Sequence, residues 1–146
     1  MPAGFKIVKT DRDLGHVLLP VSSLTVAVGD LLELGAGSAT WAKVTSSSAH
    51  HTRKAIVVKA ATSASEVEAI ELDGTETVEV QSANASNVSH NGDRMAFTDE
   101  NTVNNSGTDV TTQAVGFIQD GTIGATSDNR ILGKVLVGTG VDYDAA

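Results

Sequence analysis

No apolar run in this chain exceeds a few residues, and clusters of Gly, Asn, Asp and Ser interrupt it at short intervals. Val17-Leu18-Leu19 and Ile56-Val57-Val58 are among the longest such runs. Neither approaches the ~20 residues needed to cross a bilayer as a helix. What remains is a series of short segments, several alternating apolar and polar residues as a half-buried strand does. Thr25-Val26-Ala27-Val28 and Thr77-Val78-Glu79-Val80 show this pattern, while Ala55 to Val58 reads as a buried strand. Gly29-Asp30, Asn91-Gly92-Asp93, Asp120-Gly121 and Ser127-Asp128-Asn129 supply turns between strands. Asp73-Gly74 carries a hairpin signal.

Residues 63–73 are ambiguous. Ser63-Ala64-Ser65-Glu66 has capping-box spacing, yet Val67 and Ala69 alternate with glutamates, and the strand reading is preferred because both flanks are strands. The polar stretch Asp99 to Thr112 has little apolar content and is expected to be exposed. The pattern predicts an all-β fold, a small β-barrel or β-tulip-like domain with long loops. A domain of 146 residues can build such a core unaided.

Residues 1–20 read as an extended N-terminal arm and 21–146 as the single barrel-like domain. The arm alternates only in part, is broken at Asp11 to Gly15, and ends at Pro20, which cannot donate to a ladder and belongs at an edge or strand end. Its apolar residues Phe5, Ile7, Val8, Leu14, Val17 and Leu18 are the candidate partner-contacting positions.

Charge and motifs narrow the function. A net charge of −8 and a pI near 4.7 disfavour a phosphate backbone, so no nucleic-acid partner is expected. The basic clusters Lys6/Lys9/Arg12 and His50/His51/Arg53/Lys54 read as solvated faces. Without cysteine there is neither a disulfide nor a thiolate zinc site. The opening residues lack the layout of a signal peptide, and no membrane association is expected. Adjacent residues on a strand point to opposite faces, so His50-His51 is a poor chelating pair. The oxygen-rich set Asp99, Glu100, Asn101, Asn104, Asn105 and Asp109 lacks the spacing of a helix-loop-helix calcium site. The Asn-x-Ser triplets at Asn84, Asn87 and Asn104 are expected by chance in so Asn/Ser-rich a chain. Neither a phosphate loop nor a nucleophile elbow is present, and no catalytic residue, cofactor or metal is predicted.

Several blocks carry a resemblance: Gly92-Asp93-Arg94-Met95-Ala96-Phe97-Thr98-Asp99, the loop Thr102 to Asp109, and Arg130-Ile131-Leu132-Gly133-Lys134-Val135. With Ile70 to Gly74 and Val78-Glu79-Val80 they span roughly residues 55–137. This part of the chain resembles small structural proteins of tailed phages. The resemblance implies a capsid decoration, or cement, protein: a β-rich domain, often trimeric, bound at three-fold sites on the outer surface of the virion shell. Its partners would be the major capsid protein and its own copies, and it would be made in the host cytoplasm. Another virion part (tail, baseplate or head fibre) and a cellular binding module or small hydrolase are the alternatives.

Overall fold

The structure, a computed structural model, describes residues 4–35, 37–106 and 109–138. It is all-β, with a barrel-like sheet as its larger part. Strands β1 (Lys6–Lys9), β7 (Thr77–Ser82), β8 (Arg94–Asp99), β9 (Thr102–Asn104), β10 (Phe117–Ile123) and β11 (Arg130–Val135) form a six-stranded sheet in the order β1-β7-β11-β10-β8-β9. A parallel pairing of β9 with β7, Gln81 beside Thr102 and Ser82 beside Val103, brings the sheet round on itself. Strand β1 lies on the same edge of β7, along Thr77 to Glu79. Closure leaves few unpaired edge groups, the usual way for a small β protein to limit sticky edges.

The intervening residues build a second sheet. Strands β2 (Val17–Val26), β3 (Leu31–Leu34), β4 (Ala42–Lys43), β5 (Arg53–Val57) and β6 (Ala61–Glu71) pair in the order β2-β6-β5-β3-β4. Its outer strands meet at one point, where Val21 bridges to Trp41 and the Trp41 N–H donates to the Pro20 carbonyl at 2.8 Å. Arg53 lies 5.4 Å over the Trp41 ring and pairs with Glu71 at 2.8 Å.

Period-two alternation sorts the side chains between two cores. The barrel core takes Val78 and Val80 from β7, Phe97, Phe117 and Ile131 from the other walls, and Leu31 and Ile56 from the second sheet. The second core takes Leu32, Ala55, Val57, Val67 and Ala69, with Trp41 as its largest member. Neighbouring residues of β3 and β5 therefore feed different cores.

Glycines make room for the aromatic walls. A Cβ on Gly133 would stand 2.1 Å from the Ile118 carbonyl oxygen and 2.5 Å from the Phe117 ring. Gly133→Ala is expected to cost about 1–3 kcal/mol through overpacking. A urea titration checks this, and an unchanged midpoint would refute it.

Several expectations change here. Residues 61–71 are a strand, as preferred. Asp73-Gly74 is not a hairpin, because β6 and β7 belong to different sheets and the turn carries the chain from one to the other. Asp120-Gly121 lies inside β10, where the register shifts between Gln119 and Gly121 as in a β-bulge. The stretch from Asp99 is not wholly exposed: Val103 is fully buried on β9. Asn105 is buried beside it, its side chain bonding the backbone of Asn84 and Ala85.

The boundary drawn after residue 20 falls within β2, and residues 6–9 pair with β7. In this chain the N-terminal segment is thus built into both sheets. Lys54 is not on a solvated face either. It is fully buried, and its ammonium donates to the carbonyls of Ala49, Thr52 and Leu136 at 2.9, 3.3 and 3.0 Å.

Candidate interaction surface

Strand β2 is an outer strand of the second sheet, and its register fixes which groups it offers. Val17 stands opposite Ala69, Leu18 opposite Glu68, Leu19 opposite Val67 and Pro20 opposite Glu66. The Pro20 carbonyl turns away from β6, since it accepts from Trp41. By the two-residue period, the backbone of Leu18 faces outward as well. Ahead of Pro20, no strand among the described residues pairs with this edge. Proline suits its position, because the donor it lacks would have pointed away from the β6 ladder.

Side chains follow the same alternation. Leu19 and Val21 point into the second core, whereas Leu18 is 64% exposed and Val17 41%. Leu18 and Pro20 share a face with Glu68 and Glu66, so an apolar row runs beside an acidic one. His16 Nδ1 lies 2.6 Å from Glu68 Oε2 at one end of this face. Farther along the ribbon, Ser23 and Ser63 both have positive φ, at 47° and 46°, where the β2–β6 register slips. The Ser63 N–H is held by Thr25 Oγ1 at 3.0 Å.

The six candidate residues are not brought together. Phe5 is in the barrel core, edge-on to Phe97 with ring centroids 5.8 Å apart. Ile7 packs partly against that core, and Leu14 is half-buried on the connection to β2. Val8, Val17 and Leu18 are exposed. Sequence reasoning did not single out Glu66 and Glu68. Their alternation was visible, but their position beside Leu18 depends on a register shared by strands far apart in the chain.

The connection from β1 to β2 is clamped by Arg12. Its Nε donates to Glu76 Oε2 at 2.9 Å and its terminal nitrogen to the Glu71 carbonyl at 2.5 Å. Glu76 is buried and also accepts from the backbone N–H groups of Asp73 and Gly74. One carboxylate thus holds both the turn between the sheets and the N-terminal segment.

Other features offer less to a ligand. An open cleft of about 320 Å³ is lined by His50, Arg94, Thr111, Thr112, Gln113, Val115 and Leu136. Its arginine is engaged by Asp109, whose carboxyl the Arg94 guanidinium and backbone N–H hold at about 2. The His50 and His51 rings lie edge to face with centroids 5.6 Å apart. Among the described residues no three His, Asp or Glu side chains are grouped to hold a metal ion, and no helix is long and apolar enough to cross a membrane. No protein-family model, curated protein or solved structure matches this chain.

Proposed function

We propose that this chain is a non-enzymatic virion protein that decorates the outer surface of a tailed-phage coat shell and stabilises it as a homotrimer at three-fold sites. The observation that carries the reading is the open edge of β2 at Leu18, with apolar side chains left uncovered beside it. An edge of this kind invites a strand from another chain, which supplies main-chain hydrogen bonds as well as apolar contact. The resemblance to phage structural proteins supports the same reading, since its blocks include β8, β9 and β11 of the barrel wall. A shell repeats one surface many times, so modest contacts from each copy of a trimer add through avidity.

Quantitative mass spectrometry of gradient-purified virions, counting this chain against the major capsid protein, tests the proposal. A ratio near one to one is expected. A few copies per particle would point instead to a tail or fibre part, and absence from virions would overturn the reading. Leu18→Asp is expected to weaken co-sedimentation with undecorated shells roughly tenfold to a hundredfold, the equivalent of ~1.5–3 kcal/mol for an unburied leucine. Binding equal to that of the parent chain would remove Leu18 from the contact.

A further inference from the structure

We infer that the segment occupying the β2 edge is basic: an extended stretch of the partner chain in which lysine or arginine alternates with apolar residues. The inference rests on the decoration reading above and adds the chemistry of the occupant. A strand added outside β2 would lie two strand spacings, roughly 10 Å, from β6. Between it and the Glu66/Glu68 row stand Leu18 and Pro20, both exposed on that face, with His16 at one end. A long cationic side chain can lay its methylene stem over an apolar neighbour and carry its charge beyond it. From a strand paired ahead of Pro20, where Trp41 takes over the edge, such side chains would cover Leu18 and lean over Pro20, bringing their charges to Glu68 and Glu66.

The face already holds one contact of this geometry. His16, two residues before Leu18, places its ring nitrogen on Glu68 from the β2 side. Glu66 has no ion-pair partner among the described residues. An acidic segment would set like charges against both glutamates, and a purely apolar one would lie over Leu18 but leave Glu66 uncompensated at the contact. The chain's net charge of −8 adds a long-range field of the same sign.

The test uses the full chain, isotope-labelled, titrated with an acetylated lysine-valine alternating peptide and with its glutamate-valine counterpart. The lysine peptide is expected to shift amide resonances of residues 16–19, with affinity falling about tenfold as salt is raised from about 0.05 to about 0.5 M. In the double variant Glu66→Lys/Glu68→Lys its affinity should fall at least about tenfold while the glutamate peptide gains binding. Far-UV circular dichroism of the variant verifies the fold. Equal binding of the two peptides, binding of neither, shifts confined to other residues, or a variant indistinguishable from the parent would each overturn the inference. These outcomes are separate from the virion count: a chain abundant on shells yet indifferent to the charge reversal would keep its decoration role and lose only the basic occupant.

Discussion

Lys54→Met is expected to lower the unfolding free energy by about 1–3 kcal/mol at pH 7, and the gap should widen at alkaline pH. The ammonium of Lys54 supplies its three donors to three backbone carbonyls in a site without solvent exposure. Methionine keeps the length and bulk but orphans the Leu136 carbonyl, at about 1–3 kcal/mol, while Ala49 keeps the Thr52 hydroxyl and Thr52 keeps the Gly138 N–H as donors. Part of this loss is offset because a charge no longer has to be buried. Burial pushes the Lys54 pKa down from 10.5 to about 8, with Glu33 across the ladder opposing the shift. The ordinary value applies to the unfolded chain. Between pH 8 and 10.5 the unfolded state therefore holds a proton that the folded state has released, and folding stability rises with pH. Over that window the parent chain should gain about 3 kcal/mol relative to Lys54→Met. Urea titrations of both proteins at a series of pH values isolate this group, because the other titrations cancel in the difference. A gap that stayed constant or closed above pH 8 would contradict the buried ammonium.

Glu76→Ala is expected to be comparably severe, at about 2–4 kcal/mol, toward the lower end of the cost of breaking a buried pair because Arg12 can regain water. The substitution removes the acceptor for two backbone N–H groups at the turn between the sheets and leaves Arg12 with only the half-exposed Asp73 carboxylate, 3.2 Å from its Nε. Glu76→Gln retains an acceptor oxygen and should cost less. Arg12→Ala leaves Glu76 buried without its guanidinium partner. A double-mutant cycle built from Arg12→Ala, Glu76→Ala and both together should give a coupling of at least about 1 kcal/mol. Strict additivity would show that Arg12 and Glu76 contribute independently.

Local chemistry made much of this fold readable. Alternation at Thr77 to Val80 and the apolar run Ala55 to Val58 mark real strands, and Gly29-Asp30 marks a real turn, with Gly29 at a φ of 95°. The failures share a cause: each depends on what lies across the sheet. Asp73-Gly74 has the composition of a hairpin, but Glu76 stabilises its backbone while the chain changes sheets. Thr102-Val103-Asn104 looks like loop because a three-residue strand has too little pattern to register, and only the parallel partner β7 gives it a role. Lys54 follows the rule that lysines stay outside until three carbonyls converge on it. The candidate surface was legible in its apolar half, at Val17 and Leu18, and illegible in its acidic half.

Strands β3 and β5 have a consequence for how the molecule comes apart. Leu31 and Ile56 belong to the barrel core, while their immediate neighbours Leu32, Ala55 and Val57 belong to the other core. Neither cluster can lose these two strands without stripping the other, so neither can melt alone. Heat should therefore meet a single cooperative unit, with calorimetric and van't Hoff enthalpies in agreement. The slowest-exchanging amides should lie along β3 and β5 rather than at the centre of either core.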